Sequence, residues 1–73
     1  MDPVQITHDD GADAAYVALG PIGEGEAVEQ VVLDRPGGRL VLDFDRQGRV
    51  LGLELIGASA LAPPELLAAA VRL

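Results

Sequence analysis

The stretch LVLDFDRQGRVLGLELI, residues 40–56, constrains this chain more than any other. Two β-prone apolar runs flank a short polar segment that ends in glycine. Residues 43–54 also follow the calcium-loop pattern D-x-[DN]-x-[DN]-G-x₅-E, with Asp43, Asp45, Gly48 and Glu54 in place and Gln47 standing where an acid or amide-bearing Asn is required. A calcium loop of that type needs a helix on each side. The flanks here are GGRLVL and RVLGLEL, and Gly37-Gly38 ends any helix immediately upstream. A β-hairpin accounts for every residue without a metal. Asp45 opens a type I turn, Gly48 takes the left-handed bulge position, and Asp45 faces Arg49. The simplest register then pairs Phe44 with Val50, Leu42 with Gly52 and Leu40 with Glu54. On the other face it pairs Asp43 with Leu51 and Val41 with Leu53. In that register Leu40, Leu42, Phe44 and Val50 fill one face and Val41, Leu51, Leu53 and Leu55 the other, so both faces need cover.

The remaining segments supply partners for this hairpin. Residues 3–7 (PVQIT) read as a first strand, 8–13 (HDDGAD) as a turn, and 14–20 (AAYVALG) as a second strand. Residues 21–26 form a Gly/Pro loop. Residues 27–34 (AVEQVVLD) fit a short helix or a strand; the β-branched Val28, Val31 and Val32 favour a strand. A turn at 35–39 follows. The tail, PPELLAAAVRL (63–73), has Pro at a first turn, Glu65 after it and Arg72 near its end, which predicts a helix with Leu66, Ala69, Ala70 and Leu73 on one face. The expected fold is α+β: an antiparallel β-meander of about four to five strands with one short C-terminal helix, in a single domain, residues 1–73.

Size and composition bear on assembly. A chain of 73 residues with no cysteine has neither disulfide nor thiolate-bound metal to support a small core. Hydrophobic residues make up 49% of it, more than one short helix can cover. Oligomerisation is the usual remedy, so a homodimer or higher homo-oligomer is expected. The net charge is −7, and the five basic residues are all arginines. That charge repels nucleic acid and anionic membranes, and the chain also lacks Trp and Lys for a nucleic-acid groove. The start, MDPVQITHDD, has no positively charged region and no apolar run, and no stretch is long enough to span a bilayer, so the expected location is the cytoplasm.

Candidate chemistry is sparse. His8 and Ser59 are the sole histidine and serine, and nothing in their spacing argues for a nucleophile and base. GPIGEGE lacks the Lys and Ser/Thr of a phosphate loop, and Glu24 and Glu26 repel an anion. No cofactor is called for. The candidate functional cluster is Asp9, Asp13, Tyr16 and Glu54, acids beside the only tyrosine. HDDGAD itself serves either as a turn or as a cation-binding segment. Glu54, inside an apolar strand, calls for a structural partner or a functional role. Gly48, Gly52, Asp43 and Asp45 are assigned to turn and packing, with Gly52 allowing close approach to Leu42 or another chain.

Three motifs together resemble a known family. They are D-x₃-D-A-x-Y-V-x-L (Asp9, Asp13, Ala14, Tyr16, Val17, Leu19), V-L-D-F-D-x-x-G-R-V-L-G-L-E-L (41–55) and A-S (58–59). The pattern is similar to that of the YuzE-like family of small uncharacterised bacterial proteins. His8 stands where that family commonly has tyrosine, Ala15 where it has leucine, and Gln47 where an acid is frequent. The resemblance implies a compact β-meander with a C-terminal helical element, and no established activity. It further implies an antitoxin-like partnership with a small toxin-like protein, which the −7 charge suggests is basic. Two function classes result. One is a non-catalytic, self-associating protein-binding module; the other is a small acidic metal-binding or hydrolytic site.

Overall fold

A computed structural model describes residues 4–73. Six strands form one sheet: β1 (Gln5–Asp9), β2 (Ala14–Ala18), β3 (Glu29–Arg35), β4 (Gly38–Phe44), β5 (Val50–Ile56) and β6 (Val71–Arg72). Two short helices, α1 (Ala58–Leu61) and α2 (Pro64–Ala69), lie between β5 and β6. The sheet order is β3-β4-β5-β2-β1-β6. Every neighbouring pair is antiparallel except β1 and β6, which run parallel. The α+β class expected from the sequence is the one observed, with a larger sheet and a second helix.

The segment whose pattern fitted helix or strand is β3, beginning at Glu29 rather than at Ala27. It joins β4 through the tight Pro36-Gly37 turn. The predicted turn at Asp45 is also present. The Gly48 amide donates to the Asp45 carbonyl at 3.0 Å, the Asp45 amide donates to the Arg49 carbonyl at 2.9 Å, and Gly48 has φ of 81°. Only glycine adopts that conformation without strain. Asp45 Oδ1 accepts the amides of Gln47 and Arg49, both at 2.9 Å, and the Arg49 guanidinium closes on Oδ2 at 3.0 Å.

The register beyond the turn differs from the simplest one. Phe44 opposes Val50 as expected, but Asp43 opposes Gly52, Leu42 opposes Leu53, Val41 opposes Glu54 and Leu40 opposes Leu55. Leu51 is the extra residue of a β-bulge. Because side chains alternate between faces with period two, one inserted residue moves every later side chain of β5 to the opposite face. Leu40, Leu42, Leu53 and Leu55 thereby share a single face, where the sequence reading had divided them between two.

That shared face carries the core. Ala15, Leu55, Ala58 and Ala62 are its buried centre, and Val17, Leu40, Leu53, Leu61, Leu66 and Leu67 pack around it. Helices α1 and α2 pack on part of this face, α1 against β4 and β5 and α2 against β1. Burying Leu55 contributes on the order of 2 kcal/mol, and among the described residues no large side chain is fully enclosed. The opposite face bears Gln30, Val41, Asp43, Glu54, Tyr16 and Thr7, a mostly polar row set by the same registers.

Three further boundaries depart from the sequence reading. The strand expected at 3–7 runs Gln5–Asp9, so His8 and Asp9 belong to a strand and not to the turn; residue 3 lies outside the described residues. The second strand ends at Ala18. The helix expected over 63–73 stops at Ala69, and Val71 and Arg72 pair with Thr7 and His8 instead. Leu66 reaches the core as its periodicity implied, and Leu67 packs there too, while Leu73 leaves the helix face altogether and is exposed. At the β3 edge, Val31, Val32 and Leu33 are exposed on both faces of the strand. Exposed apolar side chains gather at both ends of the sheet, here and at Val71 and Leu73 beside β1, rather than on one face of the β4–β5 hairpin.

Candidate functional site

The polar face of the sheet holds one connected group of side chains. Tyr16 on β2 stands beside Glu54 on β5, its direct cross-strand neighbour. The Tyr16 hydroxyl does not bond to Glu54. It extends over Gly52 and donates to Asp43 Oδ2 on β4 at 2.7 Å. Gln30 on β3 donates from Nε2 to the other oxygen, Asp43 Oδ1, at 2.8 Å. Both oxygens of the buried Asp43 carboxylate are thus engaged by side chains from its two flanking directions, one adjacent strand and one two strands away.

Gly52 makes this reach possible. A methyl group there would lie 2.6 Å from the Tyr16 hydroxyl oxygen and 2.6 Å from the Val17 carbonyl. The close approach anticipated for Gly52 is therefore to Tyr16 and the β2 backbone, not to Leu42. The phenol pKa is pushed up to about 12, first by burial, then by donation to Asp43, then by the negative charges of Asp43 and Glu54. All three causes favour the neutral phenol. At physiological pH Tyr16 is a hydrogen-bond donor, not a base.

The other candidates are divided between local structure and this face. Asp9 lies with Thr7, Tyr16 and Glu54 around a shallow depression. Its Oδ1 also accepts the amides of Gly11 at 3.0 Å and Ala12 at 3.3 Å, holding the β1–β2 turn. Asp13 is elsewhere. Its Oδ1 accepts the Ser59 amide at 2.9 Å and its Oδ2 accepts the Ser59 hydroxyl at 2.7 Å. Its backbone carbonyl accepts the amides of Gly57 at 3.0 Å and Ala58 at 2.9 Å. Asp13 thus satisfies the first free amides of α1 from across the fold, in a left-handed conformation with φ of 50°. The Ser59 hydroxyl bond, followed by the Ser59 amide bond, holds the Asp13 carboxyl below its ordinary value.

The structure therefore brings Tyr16, Glu54 and Asp9 to one surface and places Asp13 at a helix start. It adds two residues to the group. On sequence alone Asp43 has a turn or packing role and Gln30 none. No sequence spacing could have linked Gln30 to Tyr16, since the link depends on the order of four strands. His8, on the core face, is buried; its Nδ1 lies 3.3 Å from Asp10 Oδ1 but is not aligned to donate, and neither ring nitrogen has a hydrogen-bond partner among the described residues.

Chemically, the group is a neutral donor held between carboxylates. Among the described residues no group of three or more His, Asp or Glu side chains is placed to hold a metal ion, and no hydrogen bond joins Ser59 to His8. No described helix is long and apolar enough to cross a membrane. No curated protein matches the chain, and no solved structure does. A family described as a protein of unknown function, DUF2283, matches residues 5–59, from the first residue of β1 into α1, spanning both hairpin motifs and ending before the Pro63-Pro64 tail. With the match covering most of its length, this chain belongs to that family of proteins of unknown function, DUF2283.

Proposed function

We propose that this chain is a small, non-catalytic, self-associating module that acts by binding protein. The observation that carries this reading is the β3 edge of the sheet. Val28, Val31, Val32 and Leu33 are all exposed, by 51%, 40%, 51% and 49%, in consecutive or near-consecutive positions. Large apolar side chains gathered at one exposed edge mark an interaction surface. The side chains with chemical potential favour the same reading by being committed elsewhere: Asp9 to a turn, Asp13 and Ser59 to each other, and Asp45 to Arg49.

Sedimentation of the purified chain over a range of concentrations, together with capture by the tagged chain, tests the proposal. A self-associated species, alone or with one stoichiometric second protein, is the expected result. A monomer at every concentration with no stoichiometric partner overturns it. If the second protein is small and basic, complementing the −7 charge, the module is antitoxin-like in its chemistry.

A second reading draws on the depression shared by Asp9, Tyr16 and Glu54, which would serve as a small acidic site for a cation. Ligand binding to the native state raises the thermal midpoint. A rise with millimolar calcium, magnesium or manganese supports this second reading, and an unchanged midpoint removes it.

A further inference from the structure

Resting on the binding-module reading, we infer that the occupant of the β3 edge is a second copy of the same strand, paired antiparallel about a two-fold axis through Val32. The first argument is hydrogen-bonding direction. The Asp45 amide points to β5, donating to Arg49, while the Phe44 carbonyl points to β3, accepting from Val28. Backbone groups alternate in direction along an antiparallel strand. From Phe44 back along β4, Leu42 and Leu40 therefore also point to β3. Their partners Val31 and Leu33 spend their backbone groups on β4. Gln30, Val32 and Asp34 turn theirs outward, to an edge that no other strand occupies among the described residues.

The second argument is self-complementarity. The strand reads Glu29-Gln30-Val31-Val32-Leu33-Asp34-Arg35. Centred on Val32, the antiparallel register sets Val32 against the partner's Val32, Val31 against the partner's Leu33, Gln30 against the partner's Asp34 and Glu29 against the partner's Arg35. The outward-facing residues Gln30, Val32 and Asp34 meet one another, so each of those pairs can exchange both of its backbone bonds. The two end pairs join opposite charges. Neither Glu29 nor Arg35 makes an ion pair within the chain among the described residues. The register uses the whole strand and leaves no residue misplaced. A two-fold axis normal to the sheet keeps the helix-covered faces of both copies on one side.

The edge also lacks the usual protection. Edge strands are ordinarily guarded by charged side chains, lysine above all, by proline or by a bulge. The charged residues of β3, Glu29, Asp34 and Arg35, sit at its ends and leave Val31, Val32 and Leu33 unguarded. β3 contains no lysine or proline and pairs with β4 in unbroken register. A strand-to-strand seam is a small interface, at the low end of specific protein–protein contacts.

Charge exchange at the strand ends tests the register. Analytical ultracentrifugation of wild type, E29R, R35E and the E29R/R35E double variant is expected to show a wild-type dimer. Each single reversal sets like charges opposite each other at both ends and weakens dimerisation roughly tenfold; the double variant restores it. Both residues are exposed, and circular dichroism confirms that each variant keeps its fold. A wild-type dimer indifferent to all three variants overturns this register but leaves the binding module standing. A monomeric wild type that binds a different protein stoichiometrically overturns the self-pairing alone. A monomer with no partner overturns both.

Discussion

The Tyr16 hydroxyl crosses an intervening strand to donate to Asp43 at 2.7 Å, passing over the one residue of β5 that has no side chain. The bond has a direct spectroscopic signature, because Tyr16 is the only tyrosine and the chain has no tryptophan. Ultraviolet titration of the native protein is expected to give a phenol pKa of about 12, against 10.0 for an unperturbed tyrosine. Asp43→Asn lowers that value, and Glu54→Gln lowers it by less, since the Glu54 charge is the smallest of the causes. The folded value lies above the unfolded one, so the stabilisation is whole below pH 10.0 and is lost as pH rises through about 12. A wild-type phenol titrating at its ordinary value contradicts the geometry.

Gly52→Ala is expected to destabilise the fold by about 1–3 kcal/mol, the usual cost of forcing extra volume into a packed site. The added methyl meets both a flexible hydroxyl and a fixed backbone carbonyl, so rotating Tyr16 away does not relieve it. Urea denaturation measures the loss. In the same variant the Tyr16 pKa drops towards the ordinary value, which links the packing defect to the broken hydrogen bond.

Removing the Asp13 charge acts on the acid side. Asp13 is held below its ordinary value of 3.8 by the Ser59 hydroxyl and amide. A depressed carboxyl contributes stability above its unfolded value and loses it as pH falls through the folded one. Asp13→Asn therefore melts below wild type at neutral pH, and the two thermal midpoints converge as pH drops beneath 3.8. Parallel melting curves at every pH would show that the carboxylate does not hold α1.

His8 offers the opposite result. It is 8% exposed, and neither ring nitrogen has a hydrogen-bond partner among the described residues. A buried polar group without a partner costs about 1–3 kcal/mol. His8→Phe is expected to raise stability at neutral pH by about 1 kcal/mol, read from the denaturation midpoint. A fall in stability would mean that the imidazole has a partner, with Asp10 Oδ1 3.3 Å from Nδ1.

Turns were the most legible part of this fold. Asp45 and Gly48 define a hairpin by local chemistry alone, and the structure has that hairpin. The bulge at Leu51 was not legible, because nothing in the residue types of β5 favours skipping at that position over continuing. Its effect is large all the same, since it gathers Leu40, Leu42, Leu53 and Leu55 on one face. Helix α1 was missed because its amides are satisfied by Asp13, 46 residues from Ser59, rather than by a neighbouring cap. The end of α2 was missed for a similar reason. Ala70 and Val71 carry no stop signal, and pairing with β1 overrides their local preference. Within the candidate site, the acids and the tyrosine could be named, but their partners depended on strand order.

The parallel pairing of β6 with β1 has a kinetic consequence. The β3–β4 and β4–β5 hairpins close over short turns, whereas Val71 finds Thr7 only after nearly the whole chain has been folded back. Contacts between residues far apart in sequence form late, because the closure entropy is lost before the contact is gained. Folding is expected to proceed outward from the central hairpins, with β6 docking as the last and least protected step. The amide of Leu73, which donates to the His8 carbonyl at 2.9 Å, should exchange with solvent by local opening long before the amides of β4 and β5. The two edges of the sheet then differ in kind: one is extended late by the chain's own last strand, and the other is complete from the start.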